Sequence, residues 1–153
     1  RSTHNVGSLL RTADGMGAVR VYLTGYTPYP LLEKDTRLPH IADKIHRQIQ
    51  KTALGAEDSV DWCVSENIDT VIAKLQQTGY MVCGLEQARS AVALPTFSPP
   101  NRVAVILGRE VEGLEEEVMA HCDQLLEIPM FGKKESFNVV QAAAMTLFYL
   151  RFS

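Results

Sequence analysis

The loop that follows Pro129 combines glycine with polar side chains that could hold a small molecule. It contains Gly132 and brings Ser136 and Asn138 to the start of an apolar helix. The free backbone amides at a helix N-terminus bind polar and anionic groups, and ligand pockets commonly use such backbone groups. Both side chains could instead serve only as helix N-caps. The loop therefore predicts a binding site for a polar small molecule.

Charged residues elsewhere could contribute chemistry to such a site. Glu110 lies in a short loop between Gly108 and Gly113, where it is either an ordinary acid near a helix start or a residue that organises the site through hydrogen bonds. Arg11 projects from an N-terminal helix and on its own is typical of a surface arginine. Asn5 could simply cap that helix. The residues alone leave these alternatives open.

The elements that must position these residues alternate along the chain. Hydrophobic periodicity and stop signals predict helices over residues 5–17, 40–52, 68–77, 114–121 and 139–150, and strands over 19–24, 60–64, 80–85, 102–107 and 125–128. This alternation implies an α/β fold with a mostly parallel sheet flanked by helices. Ligands bind beyond the carboxyl ends of such strands, so we expect the loops after Leu85, Leu107 and Ile128 to line the site.

The remaining segments are predicted to be loops, apart from one unusually apolar helix. Residues 53–58 are predicted to form a turn centred on Gly55, and the prolines at 95, 99 and 100 predict a loop. From residue 139 to 150 only Gln141 and Thr146 interrupt the apolar run. We expect this helix to be buried on several faces, against the core on one side and a partner subunit on the other.

Size and composition are those of a soluble globular protein. The chain has 153 residues, 46% hydrophobic and 22% charged, so we expect a single domain over residues 1–153. We expect no membrane span and no signal peptide, although the first residue is arginine and leaves room for upstream sequence. Cys63, Cys83 and Cys122 are far apart, which favours a reduced cytosolic protein without a disulfide framework. The four histidines lack metal-ligand spacing, so we expect no metal.

The distribution of charge is more informative than its sum. A net charge of −3 and a pI of about 5.8 would not suggest a nucleic-acid partner. The acidic residues concentrate between 110 and 117, however, and the basic residues concentrate in one segment. That segment contains Arg37, His40, Lys44, His46, Arg47 and Lys51. Lys44, Arg47 and Lys51 are therefore candidate RNA contacts, with an ordinary solvated helix face as the alternative.

Three blocks that span nearly the whole chain together resemble the SpoU family of RNA ribose 2′-O-methyltransferases, within the SPOUT superfamily. The first contains Asn5, Val6, Gly7, Arg11, Thr12, Ala13 and Gly17; the second Gly108, Glu110, Gly113 and Leu114; the third Ile128, Pro129, Met130, Gly132, Ser136, Asn138, Val139 and Ala142. Two positions depart from the family pattern. Arg109 stands where a small polar residue is usual, and Phe137 replaces a common leucine.

The resemblance implies a S-adenosylmethionine-dependent enzyme that methylates a ribose 2′-hydroxyl of tRNA or rRNA. It also implies a C-terminal trefoil knot, which sequence reasoning alone would not predict because knots are rare, and a homodimer through the knotted region. The implied cofactor-binding residues are Leu85, Gly108, Ile128, Met130, Ser136, Phe137 and Asn138. The implied catalytic residues are Asn5, Arg11, Glu110, Ser136 and Asn138.

The role that the resemblance implies for Arg11 needs a choice. Family members use this arginine either to bind substrate phosphate or to help deprotonate the 2′-hydroxyl, working across the dimer interface, and Asn5 would orient Arg11 or the substrate. Because a free guanidinium stays protonated, we favour phosphate binding and stabilisation of the developing alkoxide. The rival functions are a SPOUT enzyme that methylates a base nitrogen and an RNA-binding module that has lost catalysis.

Overall fold

The computed structural model describes residues 2–153 and confirms the predicted α/β fold with parallel strands. The chain divides into two compact units, Arg1–Glu66 and Asn67–Ser153. The first unit contains α1 (Thr3–Met16), β1 (Val21–Thr24), α2 (Pro39–Ala53), α3 (Ala56–Ser59) and β2 (Trp62–Ser65). That residues 1–153 form a single domain stays a prediction.

Local signals explain the ends of α1. Ser2 is the N-cap, and its side chain accepts a hydrogen bond from the backbone N–H of Asn5, so Asn5 lies inside the first turn and does not cap the helix. Gly17 ends the helix in the left-handed conformation, with φ of 65°. The core of this unit forms where α1, α2 and the parallel pair β1–β2 meet, around buried Leu10, Leu23 and Ile49.

The loop between β1 and α2 is organised by Arg37. Its guanidinium donates to the Asp35 carboxylate at 2.9 Å and to the carbonyl oxygens of Tyr29 and Pro30 at 3.0 Å, and it lies 3.7 Å from the centre of the Tyr29 ring. Because both charged side chains are largely buried, Arg37 is not available to a nucleic acid. The exposed part of the basic segment is therefore smaller than its sequence indicates.

Asp35→Asn is expected to lower the free energy of unfolding at pH 7 by about 2 kcal/mol, the typical contribution of a hydrogen bond to a charged group. Hydrogen bonds from Arg37, and from the backbone N–H groups of Leu32 and Arg37, hold the pKa of Asp35 well below its usual range. In the unfolded chain this carboxylate takes up a proton near pH 4, so its stabilising contribution is present at neutral pH and is lost as the pH falls below about 4.

Urea unfolding at pH 7 and at pH 3 measures this contribution. We expect the difference in stability between the unaltered chain and Asp35→Asn to shrink at pH 3. Glu33→Gln, at an exposed position of the same loop, should change stability little at either pH. A difference that stayed constant across this pH range would contradict the assignment.

The second unit is built on a parallel sheet with strand order β4-β6-β3-β5. Its elements are α4 (Ile68–Gln77), β3 (Met81–Leu85), β4 (Val92–Ala93), a 3₁₀ turn (Leu94–Thr96), β5 (Val103–Leu107), α5 (Glu116–His121), β6 (Gln124–Glu127) and α6 (Val139–Phe152). At the carboxyl end of the central strand, Leu85 pairs with Leu107 of β5 and Leu126 of β6. The three strands therefore end together, as the parallel arrangement requires.

Successive residues of β3 pack on opposite faces of this sheet. Val82 joins the cluster that contains residues of α4 and α5, whereas Cys83 joins the cluster that contains Leu126 and residues of α6. On the α6 side, the hydroxyl of Tyr149 donates to the carbonyl oxygen of Phe97 at 2.7 Å. Burial raises the pKa of the Cys83 thiol to about 12, so this thiol stays protonated at neutral pH and is inert as a nucleophile.

Some predicted boundaries differ from the structure. Residues 56–59 form a helical turn, α3, where a simple turn was predicted, and β4 with its 3₁₀ turn lies in the predicted proline loop. Two-residue β4 is too short to produce a periodic pattern, and Pro95 suits the first turn of a helix because it needs no N–H partner there. Helix α5 begins at Glu116, two residues later than predicted, after the N-cap Glu115.

Helix α6 begins at a capping box and, among residues 2–153, buries one side while the other stays exposed. Asn138 is the N-cap, and its partner in the box is Gln141. Thr146 is fully buried, whereas Phe148 and Phe152 are 58% and 72% exposed and contact each other with ring centroids 4.8 Å apart. Burial of this second face against a partner subunit stays a prediction.

Candidate ligand pocket

A pocket of about 170 Å³ lies at the carboxyl ends of β3, β5 and β6, within the second unit. Leu85, Leu107 and Ile128 line it, and each stands at or directly after the end of one strand. This is the place that a parallel sheet predicts for a ligand, because the loops that leave neighbouring strands diverge there. The predicted contribution of three separate loops to one pocket is thereby realised.

The loop before α6 and the first turns of that helix form another wall. Ser136 and Phe137 line the pocket from the loop, and Val139 and Ala142 line it from α6. Ser136 lies two residues before the N-cap and is exposed, so the structure does not support a capping role for it. Its hydroxyl is free to face a ligand in a pocket whose walls contain both apolar and charged side chains.

Two of the predicted cofactor-binding residues do not line this pocket. Met130 is half-buried in the loop after β6. Asn138 uses its side chain to accept the N–H of Val140 at 2.9 Å, and its own backbone N–H donates to Gln141 at 3.3 Å. Asn138 therefore acts as the N-cap in this structure, and a role at the cofactor or substrate stays a prediction.

The exit loop of β5, residues 108–113, closes tightly on itself as its glycines predicted. Arg109 and Gly113 exchange backbone hydrogen bonds of 3.1 Å, and a Cβ on Gly108 would lie only 2.4 Å from the carbonyl carbon of Gly113. Glu110 is exposed within the loop and lines the pocket. The side chain of Arg109 pairs with Glu115 at 2.8 Å. The backbone of Arg109 therefore closes the turn, while its side chain pairs with a residue outside the turn.

Sequence reasoning missed two carboxylates of the pocket, Glu86 and Glu127. Glu127 is the last residue of β6, and Glu86 directly follows β3. The available signal was position: each is an acidic residue at the carboxyl end of an apolar strand whose exit loop had been assigned to the site. Glu86 also accepts the backbone N–H of Leu114 at 2.8 Å, which no sequence pattern indicates.

The other predicted functional residues lie in the first unit. Arg11 is exposed on α1, and within residues 2–153 its guanidinium takes part in no ion pair. Asn5 is half-buried on the same helix and has interactions of its own. Lys44, Arg47 and Lys51 are exposed and recur at the spacing that places side chains on one helix face. Convergence of Arg11 with Ser136 and Asn138 stays a prediction.

The described part of the chain contains neither a group of metal ligands nor a membrane-spanning helix. Among residues 2–153, no three histidine, cysteine, aspartate or glutamate side chains are grouped as metal ligands would be. Over the same residues, no helix has both the length and the apolar character needed to cross a bilayer.

Comparison with known proteins places the chain in a family. The SpoU rRNA Methylase family matches residues 1–148. The 23S rRNA (guanosine-2′-O-)-methyltransferase RlmB of Neisseria meningitidis serogroup B is 31% identical over 144 residues, which are 94% of this chain and 52% of that protein. The protein of the same name from Haemophilus influenzae is 33% identical over 147 residues, or 95% of this chain and 53% of the relative.

A solved structure shows the same fold. The S-adenosylmethionine-bound rRNA methyltransferase from Sinorhizobium meliloti superposes with a TM-score of 0.79 at 24% identity, over 97% of this chain and 51% of that chain. The chain spans about half the length of the relatives it matches. Since the family match extends over nearly all of its residues, this chain belongs to the SpoU rRNA methylase family.

Proposed function

We propose that this chain transfers a methyl group from S-adenosylmethionine to a ribose 2′-hydroxyl of ribosomal RNA, and that it does so in the cytoplasm. The observation that carries the proposal is that the second and third family blocks, which lie far apart in sequence, line one pocket at the carboxyl ends of three parallel strands. The names of the RlmB relatives favour ribosomal RNA over transfer RNA and guanosine as the nucleoside.

The chemistry of the pocket lining suits a nucleoside that carries a polar tail. Apolar side chains of Leu85, Leu107 and Ile128 can cover a base, and backbone groups at the strand ends can hydrogen-bond its edge. The hydroxyl of Ser136 and the backbone of the loop that contains Gly108 are suited to ribose hydroxyls. When bound there, S-adenosylmethionine supplies a methyl group activated by a sulfonium.

The chain's own residues have separate tasks in the proposed reaction. Ser136 and Asn138 hold the donor and the ribose so that the 2′-oxygen attacks in line, and this positioning supplies much of the rate. Arg11 binds substrate phosphate and would stabilise the alkoxide that develops on the 2′-oxygen as the hydroxyl proton passes to water, with the donor's C–S bond breaking as the C–O bond forms. Glu110 organises the site through hydrogen bonds, and Asn5 orients Arg11 or the substrate.

The proposal includes a homodimer whose subunits share each active site. The exposed aromatic side of α6, with Phe148 and Phe152, supports an interface at the C-terminal helix because large apolar side chains left together in water favour association. In this arrangement Arg11 of one subunit would work with the pocket of its partner. The trefoil knot that the family resemblance implies is part of the same proposal.

Mass-spectrometric mapping of RNA after incubation with the protein and S-adenosylmethionine tests the proposed activity. We expect methylation of ribose in rRNA. It is detected as nucleotides whose 3′ phosphodiester bond resists cleavage that requires a free 2′-hydroxyl. A methylated base in place of methylated ribose would support the base-nitrogen alternative instead. If calorimetry detected no S-adenosylmethionine binding, the chain would be better described as an RNA-binding module.

Replacing Lys44, Arg47 and Lys51 together by alanine is expected to weaken RNA binding and to flatten its salt dependence. All three side chains are exposed on α2, so their removal should leave the core intact. Each phosphate contact contributes about 0.7–0.9 to the slope of log K against log salt, so losing them should reduce the slope by about 2. Filter binding at several salt concentrations measures both quantities.

A charge-matched control separates a local contact from the effect of net charge. Lys34, Lys74 and Arg89 are also exposed, and replacing these three by alanine changes the net charge equally. We expect this control to bind RNA nearly as well as the unaltered chain. Equal losses in both triple variants would reassign the α2 face to ordinary surface.

A further inference from the structure

Glu86 connects the end of β3 to β6 and to the residue that follows the exit loop of β5. It directly follows β3, and its backbone N–H donates to the carbonyl oxygen of Leu126 on β6 at 3.0 Å. Its carboxylate accepts the N–H of Leu114, beyond the exit loop of β5, at 2.8 Å and the N–H of Gln87 at 3.0 Å. One residue therefore connects the central strand to β6 and to the far end of the exit loop of β5, at the rim of the pocket.

The Glu86 carboxylate accepts a backbone N–H, that of Leu114, for which helix α5 provides no acceptor. Leu114 is only 9% exposed, and it precedes the N-cap of α5, so its N–H has no carbonyl partner from that helix. A buried amide without a partner is costly, which makes the Glu86 carboxylate the group that stabilises this backbone conformation. Removing the carboxylate would leave the Leu114 amide unsatisfied beside the pocket.

The same carboxylate explains why residue 113 is glycine. A Cβ on Gly113 would lie 2.2 Å from the nearer carboxylate oxygen of Glu86, and the residue has φ of +70°. Any side chain here would displace Glu86 as well as strain the backbone. Glu86 thus packs directly on the backbone of the exit loop of β5.

We propose that Glu86 is a positioning residue that fixes the exit loop of β5, residues 108–113, in the conformation that receives the cofactor. The Gly108 end of this loop continues from β5, and the Gly113 end is held by Glu86. Both end glycines line the pocket, and so do Arg109, Glu110 and Val111 between them. The identity of the ligand rests on the proposed function. The contacts by which Glu86 fixes the loop do not depend on that function.

Amide hydrogen exchange in the free protein tests whether Glu86 fixes the loop through the Leu114 N–H. In Glu86→Ala we expect the Leu114 amide to exchange at least about tenfold faster, since it loses its partner. Glu127→Ala is the matched control, because it removes an equal charge from the same pocket at the end of β6. We expect Leu114 exchange in this control to match the unaltered chain.

Calorimetric titration with S-adenosylmethionine tests the consequence for binding. We expect affinity to fall about tenfold or more in Glu86→Ala and to be largely rescued in Glu86→Gln, whose amide oxygen can still accept the Leu114 N–H. Tyr149→Phe loses one hydrogen bond on the other side of the sheet and controls for a general loss of stability. We expect it to bind like the unaltered chain.

The exchange experiment and the titration test separate parts of the proposal. Unchanged exchange of the Leu114 amide in Glu86→Ala would show that Glu86 does not fix the exit loop of β5. Faster exchange with unchanged affinity for S-adenosylmethionine would show that this fixation does not matter for binding. Glu86→Gln binding as weakly as Glu86→Ala, with Leu114 still protected, would show direct ligand contact in place of positioning. If the unaltered chain bound no S-adenosylmethionine, the proposed function would fail, while the exchange measurements would still decide the hold on the loop.

Discussion

Arg11→Ala is expected to reduce methyl transfer at least about 100-fold, the typical effect of removing one group that stabilises a developing oxyanion. Arg11 is exposed on α1, so its truncation creates no cavity, and the fold should be retained. Cofactor binding should also be unchanged, because the pocket residues lie outside the first unit. Single-turnover transfer from labelled S-adenosylmethionine measures the rate, and calorimetry measures binding.

Two further variants separate a specific role of the Arg11 guanidinium from a general loss of positive charge. Arg11→Lys keeps the charge but loses the planar fork that binds phosphate in a bidentate manner, so we expect partial activity. Arg20→Ala removes an exposed arginine that pairs with Asp61, and it should transfer methyl groups like the unaltered chain. Undiminished turnover in Arg11→Ala would remove this residue from the mechanism.

Mixing two inactive variants tests whether subunits share each site. In a dimer with shared sites, Arg11→Ala mixed with Ser136→Ala gives heterodimers that contain one intact site. Random exchange of subunits should then restore about a quarter of the original activity, because half of the dimers are mixed and each has one working site of two. A mixture that stayed inactive after confirmed exchange would place Arg11 and the pocket of the same chain together.

The sequence predicted best the elements that local interactions determine. Helix α4 occupies the residues predicted for it because its apolar side chains recur at helical spacing and Asn67 accepts the N–H groups of Asp69 and Thr70. The carboxyl ends of β3, β5 and β6 were likewise expected to meet, since parallel strands end at one edge of a sheet. The loops after Leu85, Leu107 and Ile128 were therefore expected to line the site, whereas Gly108 was implied by the family resemblance.

The sequence could not predict contacts between residues that are distant along the chain. Glu86 and Leu114 are separated by 28 positions, and nothing in either segment indicates that one carboxylate satisfies the other's amide. The exposed side of α6 is a similar case. Apolar residues around the whole helix predicted burial on several faces, but among residues 2–153 Phe148 and Phe152 are exposed, and burial of this side against a partner subunit stays a prediction.

Gly7 shows how a motif residue acquires a reason only in three dimensions. The family resemblance includes Gly7 in the first block, but its spacing does not explain why glycine is required. In the structure, α1 crosses α2 at this residue, and a Cβ would lie 2.2 Å from the Thr52 hydroxyl oxygen and 2.3 Å from the carbonyl oxygen of Ile49. Thr52 also donates to the carbonyl oxygen of His4, which fastens the two helices at the crossing.

Gly7→Ala is accordingly expected to lower the free energy of unfolding by about 3 kcal/mol, the upper end of the usual cost of overpacking, because backbone of α2 as well as a side chain must move. For a chain of this size we expect the melting temperature to fall by about 10 °C. Thermal and urea unfolding measure the change.

Gly15→Ala is the matched control, since it adds the same methyl group to the same helix where no atom lies within 4 Å of the new Cβ. Here only the intrinsic helix preference for alanine acts, and stability should rise by about 0.5–1 kcal/mol. The two substitutions are therefore expected to have opposite signs. If Gly7→Ala were as stable as Gly15→Ala, α1 and α2 could not approach as closely in solution as the structure shows, and the explanation for this glycine of the first block would be wrong.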